Sequence, residues 1–87
     1  MSVGRALNID EGLQMRKRIY IRLMDEGTDV FRPVFATKIS DQVYEIDTSN
    51  PYDQEDEVWE FLPGARVRVE SRFLSGQAEL VAIETVQ

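Results

Sequence analysis

The chain has 87 residues, a formal net charge of −6, and neither cysteine nor histidine. Its length suits one small domain, and its 43% hydrophobic content is ample for a core. The missing residue types exclude disulfides, thiolate zinc sites, cysteine nucleophiles and histidine bases, and no apolar run nears the ~18–20 residues of a membrane span.

Residues 1–14 show no sustained period. Ala6, Leu7 and Ile9 are apolar, but Gly4 and Gly12 interrupt any helix. Residues 1–15 are therefore expected to form a flexible N-terminal extension, with one small domain over 16–87. The alternative docks Leu7 and Ile9 on the end of that domain. The first fourteen residues also lack the apolar stretch of a signal peptide, and the absence of cysteine suits a reducing compartment. The expected localisation is cytoplasmic.

From Arg18 the pattern is β. Ile19, Ile21 and Leu23 alternate with Tyr20, Arg22 and Met24, the period of a half-buried strand. "DEGT" (25–28) reads as a turn, with Gly27 as the residue able to take a positive φ. A second strand is expected from Val30 to Ser40. Pro33 has no N–H for a ladder and belongs at an edge or a bulge. "SDQ" (40–42) turns the chain into "VYEIDT". "RVRVESRFL" (66–74) is the clearest strand, with Val67, Val69, Ser71 and Phe73 predicted on one face. "SG" (75–76) turns it back into "QAELVAIETV", apolar on both faces as a well-covered strand would be.

Five strands, short turns and one long loop predict an all-β fold, a small five-stranded antiparallel barrel of the SH3-like type. Closure is how so short a sheet hides its edges. The alternative is an OB-type barrel, which would want a helix between strands three and four. Asn50 as N-cap and Pro51 at the first helical position offer one. Against this, Val58, Trp59, Phe61 and Leu62 would wrap around a short helix. The expectation is a loop with one helical turn, then an extended piece ending at "LPG".

That loop holds the candidate site. "NPYDQEDEVWEF" (50–61) carries five carboxylates and three aromatic rings. It lacks the D-x-D-x-D-G order and mid-loop glycine of a calcium loop. Nothing in it marks a cleft that would split two carboxylates into acid and base. No metal, cofactor or catalytic residue is assigned. The remaining reading is recognition: Tyr52, Asp53, Glu55, Asp56, Glu57 and Trp59 would bind a basic protein or peptide, with rings lining a groove and acids on its rim. Tyr52 is the better candidate for an exposed ring. Trp59 divides between core plug and partly exposed groove.

Charge is uneven along the chain. Residues 1–24 carry a net +3, residues 25–63 a net −9, and residues 64–87 balance. An acidic middle disfavours nucleic acid as a partner. The alternative function is nucleic-acid binding through Arg16, Lys17, Arg18, Arg22, Arg66, Arg68 and Arg72, if their strands are neighbours. The plainer account pairs these cations with Glu70, Glu79 and Glu84 across the strands, and Tyr20 is the only exposed ring expected among them. Arg32, close to Asp25 and Asp29 in sequence, is expected to pair with an aspartate across the turn or to hold the acidic loop in place.

The runs "RLMDEGTDVFRPV", "DEVWEFLPGARVRVE" and "LSGQAELVAIE" resemble a small bacterial protein family to which no activity is assigned. The likeness rests on "RLxDEGTDVxRPV", "EVWEFxPG" and a final glycine-turn hairpin with an "LVA" strand. It spans about residues 16–84, which supports treating the tail as an extension. It implies no catalytic or binding residues.

Overall fold

The computed structural model describes residues 16–87, and expectations for the first fifteen residues lie outside it. Six strands follow in order: β1 (Arg16–Met24), β2 (Phe31–Ser40), β3 (Val43–Ile46), β4 (Val58–Trp59), β5 (Arg66–Leu74) and β6 (Gln77–Thr85). No helix occurs among the described residues, so the fold is all-β. The sheet order is β2-β3-β5-β6-β1-β4, and β1 also pairs with β2, so hydrogen bonds ring through five strands.

The ring explains why the expected antiparallel set is incomplete. Five strands cannot alternate direction all the way round a closed circuit. One neighbouring pair must run parallel, and it is β1 with β6, in register at Tyr20 and Val81. The other ring pairs are antiparallel. The sixth strand, β4, is a two-residue addition. It takes over from β6 along the same edge of β1, setting Leu23 beside Trp59 and Met24 beside Val58. The Glu60 N–H then donates to the Arg22 carbonyl at 2.9 Å.

The alternation read in β1 holds: Ile19, Ile21 and Leu23 point inward and are buried. They meet Val34 and Ala36 of β2, Tyr44 and Ile46 of β3, and Val67 and Val69 of β5. Ile19, Ile21, Ile46 and Val67 are wholly buried. Each such side chain stabilises the fold by about 1.5–3 kcal/mol. The predicted apolar face of β5 ends early, because Ser71 and Phe73 lie exposed. Beyond Arg68, β5 no longer has β3 beside it. Phe73 is 77% exposed for that reason.

Turn chemistry follows local sequence with one exception. Ser75 (φ 54°) and Gly76 (φ 85°) form the two-residue loop between Leu74 and Gln77, as a type I′ hairpin requires. Gly64 (φ 94°) sits in the turn closed by the Ala65 N–H on the Leu62 carbonyl, with Pro63 before it. In the 25–28 turn, however, the positive φ (65°) belongs to Asp25 and not to Gly27. Aspartate tolerates this conformation better than most residues.

Candidate functional site

The 47–61 segment is positioned by its hydrogen bonds with β2. The β3 ladder on β2 begins only at Ala36, which faces Ile46. Just upstream, Asn50 continues the ladder with its side chain. Its Oδ1 accepts the Phe35 N–H at 3.0 Å, and its Nδ2 donates to the Phe35 carbonyl at 2.9 Å and the Asp47 carbonyl at 2.7 Å. Asn50 therefore caps no helix. A helical turn starts at Asp53, whose carbonyl accepts the Asp56 and Glu57 N–H groups while its Oδ1 accepts that of Glu55 at 2.9 Å.

Glu57 ties this loop to β2 and to the core. Its carboxylate receives the Arg32 guanidinium on both oxygens, Nε on Oε1 and Nη2 on Oε2. The same Oε1 accepts the Trp59 indole N–H at 2.9 Å. The hydrogen bond from Arg32, then that from Trp59, holds the Glu57 carboxyl below its ordinary range, and the Arg32 guanidinium is raised in turn. Arg32 thus pairs with neither Asp25 nor Asp29. Its side chain lies on the inward-facing side of β2 with Val34, toward the loop. Asp29 instead pairs with Arg22 at 2.8 Å.

A cleft of about 350 Å³ lies between the Arg32–Val34 edge of β2 and the loop, with Asn50, Pro51, Asp53, Asp56 and Glu57 along its far side and Trp59 in its wall. Of the six residues read as a site, Asp53, Asp56, Glu57 and Trp59 border this cleft, whereas Tyr52 and Glu55 do not. Tyr52 is not the exposed ring expected. It is half-buried against the core, its centroid 4.9 Å from that of Trp59 at a tilt of 57°. Trp59 is 5% exposed, so the core is its main environment. Glu55 is exposed and outside the cleft. Among the described residues no group of three or more carboxylates is placed to hold a metal ion.

Most of the arginines are paired, by partners only partly foreseen. Arg68 meets Glu84 at 2.5 Å and Glu70 at 3.5 Å, Arg72 meets Glu70 at 2.9 Å, Arg66 meets Glu45 at 3.5 Å, and Arg16 meets Asp47 at 2.8 Å. Glu79 forms no ion pair among the described residues. Tyr20 is also not the only ring among the cations. On the outer face of β1 and β2, Arg18 stands opposite Phe35, Tyr20 opposite Pro33 and Arg22 opposite Phe31. Phe35 is 50% exposed, and the Arg16 guanidinium lies 5.0 Å from its ring centroid. Sequence alone assigned Phe31 and Phe35 to no site, because their outward face follows from the β1 register.

No family model matches the chain, and no curated protein or solved structure is significantly similar to it. Among the described residues no helix is long and apolar enough to cross a membrane.

Proposed function

We propose that this is a small non-enzymatic recognition module, an SH3-like barrel acting in the bacterial cytoplasm, that binds a basic protein or peptide at the cleft between β2 and the 50–59 loop. The five-strand hydrogen-bonded ring with a long loop at one end supports the barrel assignment. One observation carries the partner class. Arg32 and Glu57 neutralise each other, so Asp53 and Asp56 leave the cleft a net −2 beside the apolar surfaces of Pro33, Pro51 and Trp59. A cation on a long apolar stem matches both features. The test uses matched decapeptides differing only in carrying basic, neutral or acidic side chains, with binding followed by Trp59 emission. The basic peptide should bind, and the double variant Asp53→Asn, Asp56→Asn should lose about tenfold in affinity, near 1.4 kcal/mol. Unchanged affinity in the double variant rejects the reading.

A second reading rests on the outer face of β1 and β2. There Arg18, Tyr20 and Arg22 alternate with Phe35, Pro33 and Phe31, and Tyr20, Phe31 and Phe73 border a hollow of about 400 Å³. Rings beside arginines, exposed at Phe35 and Phe73 and half-buried at Tyr20 and Phe31, suit stacked bases and phosphates. Anisotropy of a labelled single-stranded oligonucleotide decides it. Binding that falls steeply between about 50 mM and 200 mM salt supports this reading, and no binding at the lower salt rejects it.

A further inference from the structure

The direction of each peptide group on β2 follows from one hydrogen bond. The Val30 carbonyl accepts the Leu23 N–H at 2.8 Å, so Val30 faces β1. Along an extended strand the direction alternates, so residues 32 and 34 also face β1, while Phe31, Pro33 and Phe35 face the opposite edge. At Phe35 that edge is filled by Asn50 and by the Asp47 N–H, 3.0 Å from the Phe35 carbonyl. At Pro33 no strand covers it, since β3 pairing starts three residues later. Pro33 presents a carbonyl there and has no N–H to present.

The cleft is therefore rich in acceptors and poor in free donors. Its acceptors are the Pro33 carbonyl and the Asp53 and Asp56 carboxylates. Most of its donors are committed: the Nε and one Nη2 N–H of Arg32 and the Trp59 N–H to Glu57, and the Asn50 amide to Phe35 and Asp47, which leaves the outer N–H groups of Arg32 as the free ones. An extended peptide backbone would bring donors and acceptors alike, and its carbonyls would find little to pair with. A guanidinium brings five N–H donors, no acceptor, and a planar face that stacks on apolar surfaces such as proline and tryptophan. At about 350 Å³ the cleft lies at the small end of the range for ligand sites, suited to one side chain.

We infer that the cleft selects arginine, taking the guanidinium of one arginine from an extended basic segment of the partner between the Pro33 carbonyl and the Asp53 and Asp56 carboxylates. This rests on the recognition reading above and names the group recognised. Lysine, a hydrated point charge with three donors, satisfies the same charge but not the spread of acceptors.

The test compares two basic decapeptides of equal length and charge, one with arginine and one with lysine, against the full chain at fixed salt. A third peptide replaces each arginine with citrulline, which keeps the planar shape and removes the charge. The arginine peptide should bind about tenfold tighter than the lysine peptide, and the citrulline peptide should not bind. Asp53→Asn with Asp56→Asn should abolish the preference. Asparagine at 53 retains the oxygen that accepts the Glu55 N–H, so the turn survives, and circular dichroism checks this. Equal binding of arginine and lysine peptides overturns arginine selection while leaving a basic partner in place. Failure of both peptides to bind overturns both proposals.

Discussion

Asn50 completes the hydrogen bonding of Phe35, fifteen residues earlier in the chain, with an amide side chain that both accepts from its N–H and donates to its carbonyl. One side chain thereby extends the β2 edge past the end of β3 and fixes where the acidic loop departs. Replacing it with alanine leaves the Phe35 N–H with water as its only partner. Asn50→Ala should cost about 1–2 kcal/mol, measured by chemical denaturation, and should speed amide exchange at Phe35. Asn50→Asp keeps the acceptor and loses both donated bonds, so it should fall between alanine and wild type. An unchanged midpoint in Asn50→Ala would show that the amide adds nothing to the fold.

Glu57 links stability to pH. Its carboxyl is held below the ordinary value of 4.5 in the folded chain by Arg32 first and Trp59 second. A depressed folded pKa favours the folded state above the unfolded value, and that contribution is lost as pH falls through the folded value. Wild type should thus exceed Glu57→Gln in stability at neutral pH, and the gap should close as the solution is acidified below 4.5. Denaturation midpoints of both proteins from neutral to strongly acidic pH measure this. A gap that stays constant would remove the ion pair as its source. Glu70 is also held low, chiefly by Arg72, but both groups are exposed and salt should screen that pair.

Trp59 acts first as a core residue and second as a wall of the cleft. Trp59→Ala should destabilise by about 3–5 kcal/mol, much of the stability that so small a domain possesses. Trp59→Phe keeps most of the packing and loses the N–H donated to Glu57, so about 1–2 kcal/mol is expected. Circular dichroism on heating checks both, since the only tryptophan is removed. Equal losses in the two variants would mean that the hydrogen bond, and not the buried ring, dominates.

Gly64 and Gly27 should respond oppositely to alanine. Gly64 has φ 94°, where a Cβ is strained, and that Cβ would also sit 3.6 Å from Thr48 Cγ2. Gly64→Ala should cost more than about 1 kcal/mol. Gly27 has no positive φ and open space around it. Gly27→Ala should be neutral or stabilising by up to about 1 kcal/mol, because it restricts the unfolded chain. Denaturant midpoints of the two variants give the comparison, and destabilisation by Gly27→Ala would contradict the backbone geometry at that turn.

Strand β5 was legible in the sequence to its ends, and so was the turn at Ser75 and Gly76, because both depend on neighbours within a few residues. Period-two alternation marked the inward residues of β1, and Pro33 marked an uncovered edge. The acidic loop could be located, and its lead-in at Val58 and Trp59 was rightly extended. Its internal division could not be read. Five carboxylates in twelve residues look equivalent until the fold places Arg32 against one of them, Glu57, and leaves Asp53 and Asp56 along an open cleft.

Sequence by itself thus determined the all-β class, the span of β5, the approximate spans of β1, β2, β3 and β6, and the Ser75–Gly76 turn, since backbone propensity and alternation are local. Tertiary structure alone decided the parallel pairing of β1 with β6, the burial of Trp59 under Tyr52, the bonds of Asn50 to Phe35 and the Arg32–Glu57 pair across 25 residues. These join residues far apart in the chain, and only closure of the strand ring fixes which of the many chemically suitable partners come within hydrogen-bonding distance.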